Sequence, residues 1–580
     1  LEKKLHSLKR HKVIRINPVL DDSRNRTRTE LLFRVVDKKI AEATLPELFR
    51  RAKRQHECLF YLLGHSVASS SKLRALGYAS SVINALEKRG LICRSQKDVK
   101  RDPLAHIERS DVVEIESTTE QDQTVKSLIE NINQRCFHTA LLFGVTGSGK
   151  TMIYIELVRK IISQKRSAII LVPEIALAWQ MVRCFLQYFG EYVVVLHSQL
   201  SSGERYDTWQ RLRQGNAKIV IGARSAIFAP LQDLGLIVVD EEHDSSYKQE
   251  DIGSSFPVNY NARYVAVKRA RDCNALIVLG SATPSLESYY NAKSGKYSLY
   301  ALHKRVDDRP LPEVHVVDMT REPFQKKQRA IFSKFLRLKI KESLKRNQQI
   351  LLLQNRRGFS PFINCTSCGE FVKCVNCHVS LTYHRSREGA CVKCHYCNFS
   401  KSIPSVCESC GVEGLRFDGV GTQKVEEELI KQFPSIRVIR MDVDTTGWKG
   451  AHDDLIERFR HHEADVLLGT QMVAKGLDFP DVTLVGVISA HTGIHMPDFR
   501  AAERSFQLLT QVAGRSGRGR EPGEVVVQTR LPDDPVLKNA AGQDFLAFAE
   551  RELRERKEAG FPPYGRLLVF RWKGSEDSSV

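Results

Sequence analysis

Short, wholly apolar runs recur along the middle of the chain, each followed by a segment with helical spacing. Leu141-Leu-Phe, Ala168–Val172, Val193–Leu196, Ile219-Val-Ile, Leu236–Val239 and Leu276–Leu279 form one series. Ile350–Leu353, Ile436–Ile439, Val466-Leu-Leu, Leu484–Ile488 and Val525-Val-Val form a second. Runs without polar alternation predict strands buried on both faces, as in a parallel sheet covered by helices. The fold class read from this pattern is α/β, with two tandem parallel-sheet domains over 115–305 and 306–530. Before them the period changes. Leu45–Leu63 has helical apolar spacing, Ser69–Leu76 and Ser80–Lys88 read as short helices, and Gly90 ends the last. Three helices followed by an extended stretch predict a winged-helix-like unit over 45–108, a shape that binds DNA in some proteins and is a plain spacer in others.

Length and charge sharpen this outline. The chain has 580 residues, 88 Lys plus Arg against 68 Asp plus Glu, and a formal charge of +20. Such a balance makes polyanions, nucleic acid before membrane, the first partners to consider. The charge is concentrated early: residues 1–60 hold 16 Lys/Arg against 8 Asp/Glu, and 1–44 read as a basic linker or the remnant of a DNA-binding region. No apolar run approaches the ~18 residues of a membrane span. Leu1 is followed by Glu-Lys-Lys, which is neither an initiator Met nor a secretory signal.

Nine of the 14 cysteines lie between Cys365 and Cys410, and eight of them form C-x-x-C pairs. The pairs are Cys365/Cys368, Cys374/Cys377, Cys394/Cys397 and Cys407/Cys410. Each knuckle turns two thiolates to one side, and two knuckles complete a tetrahedral zinc site. Eight ligands imply two structural Zn²⁺ in a module over 363–412 that interrupts the second α/β domain (306–362 and 413–530). Spacing alone leaves the pairing of knuckles open.

Gly144-Val-Thr-Gly-Ser-Gly-Lys-Thr151 sits between a strand and a helix, the setting of a phosphate loop. Gly144, Gly147 and Gly149 let backbone N–H groups wrap phosphates, Lys150 adds a point charge, and Thr151 can ligate Mg²⁺. Leu236-Ile-Val-Val-Asp-Glu-Glu-His243 ends a buried strand in carboxylates. Asp240 is expected to hold Mg²⁺, Glu241 to polarise an attacking water, and His243 to couple the site to its surroundings. Gln507–Arg518 contains Q-x-x-G-R-x-G-R. On a helix, Gln511, Arg515 and Arg518 would share a face, with the guanidiniums suited to a developing phosphoryl charge.

These elements resemble the motifs of superfamily 2 helicases, with RecA-like motor domains. Gln121 of Thr119-Glu-Gln121 would then read adenine. Val172–Ala176, Ile221–Ser225, Gly280–Pro284 and Gly469–Gly476 match further motifs in order, with Gly476 near the nucleotide. A cysteine module inserted between Gln354–Phe359 and Gly469–Gly476, together with Asp240–Lys248, resembles the PriA family (primosomal protein N′) of replication-restart helicases from about residue 50 to 565. The resemblance implies an ATP-dependent 3′→5′ DNA helicase that recognises stalled forks and D-loops, unwinds the lagging arm and begins primosome assembly. It implies ATP, Mg²⁺ and two Zn²⁺ as cofactors. It pairs Cys365, Cys368, Cys407 and Cys410 on one ion and Cys374, Cys377, Cys394 and Cys397 on the other. Its partners would be forked and single-stranded DNA, single-stranded DNA-binding protein and primosome proteins, in a bacterial cytoplasm at the nucleoid.

Several positions depart from the family. Tyr264 and Leu477 stand where Asp and His are usual, Ser489-Ala-His491 replaces an acid-containing stretch, and the aromatic loop from Tyr247 to Tyr260 is longer. Phe256 and Tyr260 are read equally as base-stacking or core residues. The family's N-terminal domain and most of its C-terminal domain are expected to be missing, with 531–580 the start of the latter. Two alternatives stand beside the helicase: another superfamily 2 DNA translocase, or a DNA-bound assembly platform switched by ATP.

Overall fold

The computed structural model describes residues 28–568 apart from 100, 102, 105–116, 174, 250–257, 307–310, 326–327, 355–362, 366–367, 377–379, 387–388, 395–396, 398, 414, 418–420, 443–450, 471–472, 474–478, 480, 495, 497 and 518–520. Phe256, Gly476, Leu477, Arg518 and Cys377 therefore lie outside the described residues.

The chain divides into two compact units. In the N-terminal unit, strand Arg28–Val35 pairs antiparallel with Ile92–Val99 along its whole length, and Ala68–Ser69 adds a short third strand. Helices Lys38–Arg51, Lys53–Gly64, Ser70–Ala75 and Ser80–Lys88 lie between them. The Asp37 carboxylate accepts from Lys39 N at 2.8 Å and Ser69 Oγ from Lys72 N at 3.3 Å, so each caps the free N–H groups of a helix start. Phe33, Leu48, Cys58, Leu59, Leu62, Ile83 and Leu86 form the core. Arg28–Val35 falls in the stretch read from sequence as a basic linker or the remnant of a DNA-binding region. Its charged flanks hide the apolar Leu31-Leu-Phe, and its partner strand lies about sixty residues away, beyond any local pattern.

The second unit carries two parallel sheets. In the first, six neighbouring strands run in the order Ser298–Leu302, His138–Gly144, Leu276–Ser281, Leu234–Asp240, Ser167–Leu171 and Ile219–Gly222. In the second the order is Glu313–Asp318, Glu524–Thr529, Val482–Val487, Gln349–Leu353, Val466–Gly469 and Val438–Met441, again all parallel. The strand read at Ile436–Ile439 begins two residues later. Strands 167–171, 276–281 and 349–353 are buried at every position, which is why their sequences do not alternate. Gly144, Asp240 and Ser281 stand at the carboxyl ends of three adjacent strands, where open α/β sheets bind ligands.

The cysteine module has strands Ile363–Cys365 and Leu415–Phe417 at its root and a three-stranded meander over Thr382–Ser402. Its core is small: Ile363, Val372, Leu381 and Val392 pack with Cys374 and Cys394. Beyond the second sheet, helices Pro535–Ala541 and Phe545–Glu558 pack into the core around that sheet rather than standing apart. Phe545, Phe548 and Leu553 are buried in the cluster that holds Phe506, and the Phe506 and Phe548 rings stack with centroids 4.3 Å apart.

Candidate nucleotide and metal sites

The loop after strand His138–Gly144 turns through Gly147 and Gly149, both at positive φ (84° and 73°), a region glycine enters without a Cβ penalty. Helix Lys150–Ser163 follows, so its free N–H groups and dipole face the loop, with Thr151 in the first turn. The Lys150 ammonium donates to Gly144 O at 2.9 Å across the loop. Gln121 is buried against this loop. Its Nε2 donates to Ser148 O at 2.8 Å, and its Oε1 accepts from Thr118 N in a capping box. Both ends of the amide are thus engaged, which fixes helix Thr119–Gln134 to the loop.

Asp240 lies beside Lys150 at the end of strand Leu234–Asp240, which Leu276–Ser281 separates from His138–Gly144. Burial and the adjacent Glu241 push its carboxyl up to about 6, against the pull of the Lys150 ammonium. Tyr154 OH donates to Asp240 Oδ1 at 2.9 Å and Tyr247 OH to Asp240 O at 2.6 Å. Gly280 makes the first contact possible: a Cβ there would sit 1.8 Å from the Tyr154 hydroxyl. Tyr247, read as part of an aromatic DNA-gripping loop, is buried. Glu241 holds a left-handed backbone (φ 46°), unfavourable for a non-glycine residue, and its buried Oε2, 3.6 Å from His243 Nδ1, makes no hydrogen bond among the described residues. A strained carboxylate beside a phosphate loop suits a group that orients a water molecule.

His243 joins three motifs. Its Nδ1 is 2.7 Å from Ser281 Oγ and its Nε2 is 3.0 Å from Gln511 Nε2. The Gln511 amide nitrogen can only donate, so Nε2 accepts and the imidazole proton is assigned to Nδ1. Gln511 therefore meets His243 rather than standing on the phosphate side. Gln507 Nε2 donates to Thr283 O at 3.3 Å on the same helix face.

The helix carrying these residues, Ala501–Ala513, stops before the arginines. The expectation that Gln511, Arg515 and Arg518 share one helical face is corrected for Arg515, which follows the helix end. Gly514 caps the helix and Gly517 turns the chain at φ 69°. A Cβ on Gly514 would lie 2.6 Å from Thr146 Cγ2, so the backbone just before Arg515 abuts the phosphate loop. Glycine here permits close approach.

A buried ionic chain, unread in the sequence, spans the two sheets. Glu242 pairs with Arg263 (2.6 Å) and accepts from Ser285 N (2.6 Å) and Ser288 Oγ (2.9 Å). Glu503 Oε1 accepts from Leu286 N at 2.9 Å, its Oε2 meets Arg556 Nη2 at 2.8 Å, and Arg556 Nε donates to Glu552 at 3.1 Å. Arg500 pairs with Glu287; burial works against ionisation there, but Arg500 and Arg263 bring the Glu287 carboxyl down to about 2. Burial pushes Glu552 up to about 7 despite Arg556. Helical spacing of Glu503, Gln507 and Gln511 was the available sequence signal; the distant Arg556 gave none. Arg556→Met should cost about 3–5 kcal/mol by removing the guanidinium that pairs with the buried Glu503 and Glu552. The Glu552 carboxyl, already held up to about 7 by burial, would lose the guanidinium that draws it down, so the lost stability returns as pH falls. Thermal melting at pH 6 and pH 8 should show the larger deficit at pH 8.

In the cysteine module, Cys365 and Cys410 sulfurs are 3.7 Å apart and Cys368 and Cys407 sulfurs 3.6 Å, and all four lie within 4.8 Å of one another. Cys374, Cys394 and Cys397 form a second group, with Cys374 and Cys397 sulfurs 3.4 Å apart. These separations are far above a disulfide bond. They approach the ~3.8 Å sulfur–sulfur edge of a tetrahedron with ~2.3 Å Zn–S bonds, and an all-thiolate set suits Zn²⁺. Gly369 and Gly411 follow their knuckles at φ 82° and 70°.

Comparison with known proteins agrees with this geometry. The family described as DEAD/DEAH box helicase matches residues 118–292, and the helicase conserved C-terminal domain matches 420–520. The replication restart protein PriA of Bacillus subtilis (strain 168) is 45% identical over 526 residues, covering 90% of this chain and 64% of that protein. PriA of Synechocystis is 43% identical, covering 88% of this chain and 61% of that protein. PriA of Haemophilus influenzae is 38% identical over 519 residues, covering 89% of this chain and 69% of that protein. The chain belongs to the PriA family. It spans roughly two thirds of the length of these PriA relatives. The two parallel sheets are accordingly RecA-like helicase domains. Among the described residues no helix is long and apolar enough to cross a membrane.

Proposed function

We propose that the chain is the motor of an ATP-dependent 3′→5′ DNA helicase of replication restart, acting on stalled forks and D-loops, unwinding the lagging arm and initiating primosome assembly. The observation that carries the motor reading is the bridge through His243. A single imidazole touches Ser281 of the first helicase domain and Gln511 of the second, two residues from the Glu241 carboxylate. A change at the nucleotide would alter both contacts, which is the physical requirement for converting hydrolysis into domain movement. The relatives' name, replication restart protein, supports the biological role.

In this reading Gly144, Gly147, Gly149, Lys150 and Thr151 bind the ATP phosphates and Gln121 lies at the adenine end, with Gly476 near the nucleotide. Asp240 and Thr151 would hold Mg²⁺, which supplies charge neutralisation between the β and γ phosphates. Glu241 orients the attacking water. Arg515 and Arg518 stabilise the charge developing on the transferred phosphoryl group. The eight paired cysteines hold two Zn²⁺ in a structural module over 363–412, with Cys365, Cys368, Cys407 and Cys410 on one ion and Cys374, Cys377, Cys394 and Cys397 on the other. The N-terminal unit serves as a winged-helix-like DNA-binding region. Partners are forked and single-stranded DNA, single-stranded DNA-binding protein and primosome proteins, in the cytoplasm at the nucleoid.

Phosphate release measured with and without single-stranded DNA tests the motor reading. Hydrolysis should rise by at least tenfold with DNA. Binding of ATP without DNA-stimulated release would favour an assembly platform switched by nucleotide.

A further inference from the structure

The N-terminal unit exposes aromatic surface that its own fold does not use. Phe49 and Phe60 are 60% and 65% exposed, although the unit buries Leu48, Leu59 and Leu62 fully in the same two helices. Large exposed aromatic groups gathered at one place mark a binding surface rather than ordinary surface residues. These are gathered. Phe49 meets His56 edge-on at 5.2 Å between centroids, and His56 and Phe60, one turn apart on helix Lys53–Gly64, are near-parallel at 6.2 Å and 12°. Beside them Tyr61 stacks on His65 at 4.2 Å, and Tyr78 closes the far wall of a hollow of about 380 Å³ lined by His56, Phe60, Tyr61 and His65.

The charge around this ladder selects its partner. Arg50 follows Phe49 directly in the chain, and Lys53 precedes His56 by about one turn of the same helix, positions that are neighbours on a helix surface. Arg51 and Arg54 are paired with Glu47 and Glu57, but Arg50 and Lys53 have no ion-pair partner among the described residues. Rings with open faces beside unpaired cations, at a spacing of one helical turn, fit a strand that offers flat π-faces and phosphates in alternation. An apolar protein partner would use the rings and leave the cations without a role. A duplex would use the cations and leave the rings without one, because its bases are already stacked.

We propose that His56 and Phe60, with Phe49, Arg50 and Lys53, form a stacking site for unpaired bases of single-stranded nucleic acid, separate from the helicase domains and independent of ATP. The site does not depend on the motor reading: it should act in protein that cannot hydrolyse ATP.

The test uses the full chain without nucleotide, in both wild-type and Lys150→Ala forms, with a 20-mer oligothymidylate carrying 5-iodouracil. Irradiation joins iodouracil to aromatic side chains stacked on it, and cleavage after Arg54 and Lys72 releases the peptide Gln55–Lys72. An adduct on this peptide is expected in both proteins. Phe60→Ala with His56→Ala should lower its yield by roughly 5-fold or more. Phe60→Tyr should keep it, and Lys53→Glu should lower it and reduce its salt dependence by about one phosphate contact. Phe60 and Lys53 are exposed and His56 is half-buried outside the unit's core, so a nearly unchanged melting curve should accompany each loss. Adducts confined to other peptides, or a Gln55–Lys72 adduct indifferent to the double substitution, would overturn the proposal. An inactive wild-type ATPase that still forms the adduct would instead count against the motor reading alone.

Discussion

Replacing Lys150 by alanine is expected to lower DNA-stimulated ATP hydrolysis by at least about two to three orders of magnitude while leaving the melting temperature nearly unchanged. Removing one fixed group from developing transition-state charge typically costs that much in rate. Lys150 is in addition the cation beside the buried Asp240, whose carboxyl it draws down against burial. Without it, Asp240 is harder to ionise and a poorer ligand for Mg²⁺ at neutral pH, so two contributions fall together. The fold depends little on Lys150, because among the described residues the one hydrogen bond of its ammonium is to Gly144 O within the loop. Steady-state phosphate release and a thermal melt, run on the same preparation, check both halves. Hydrolysis that survives the substitution would remove the phosphate loop from the mechanism.

The second large effect concerns the cysteine module. Zinc analysis of the purified protein should give two ions per chain, and stripping them should unfold residues 363–412 while both helicase sheets persist. The reasoning is one of size. Among the described residues the module's buried core is a small cluster of Ile363, Val372, Leu381 and Val392 with two of the cysteines, too little to order some fifty residues unaided. Structural zinc contributes about 10–16 kcal/mol in small modules, so metal binding and folding there are one event. Cys407→Ser should halve the zinc content, since it breaks one group of four and leaves the other. Limited proteolysis should then cut within the module and spare the sheets. A metal-free protein whose module resists protease would contradict this account.

How much of this could be read from the sequence follows from how local each signal is. The phosphate loop, the Asp240–His243 strand end and the cysteine knuckles each occupy a few consecutive residues, and their chemistry follows from spacing. Both sheets were legible because buried parallel strands are apolar at every position. Contacts between distant segments were not. Strand Arg28–Val35 is held by a partner about sixty residues on, and the Glu503–Arg556 pair joins helices 53 residues apart. Gly280 reads only as the first residue of a matched motif, and its need for glycine emerges when Tyr154 is seen reaching past it to Asp240. Gly514 and Gly517 stand in the sequence as the glycines of Q-x-x-G-R-x-G-R, and only the structure shows that Gly514 ends the helix and brings its backbone onto Thr146.

The most direct test of the central claim is strand separation on two partial duplexes, one with a 3′ single-stranded tail and one with a 5′ tail, each with ATP and Mg²⁺. Wild-type protein should unwind the 3′-tailed substrate in an ATP-dependent manner and leave the 5′-tailed one largely paired, and Lys150→Ala should unwind neither. Unwinding of the 3′-tailed duplex by Lys150→Ala, or by wild-type protein without ATP, would contradict an ATP-driven 3′→5′ motor.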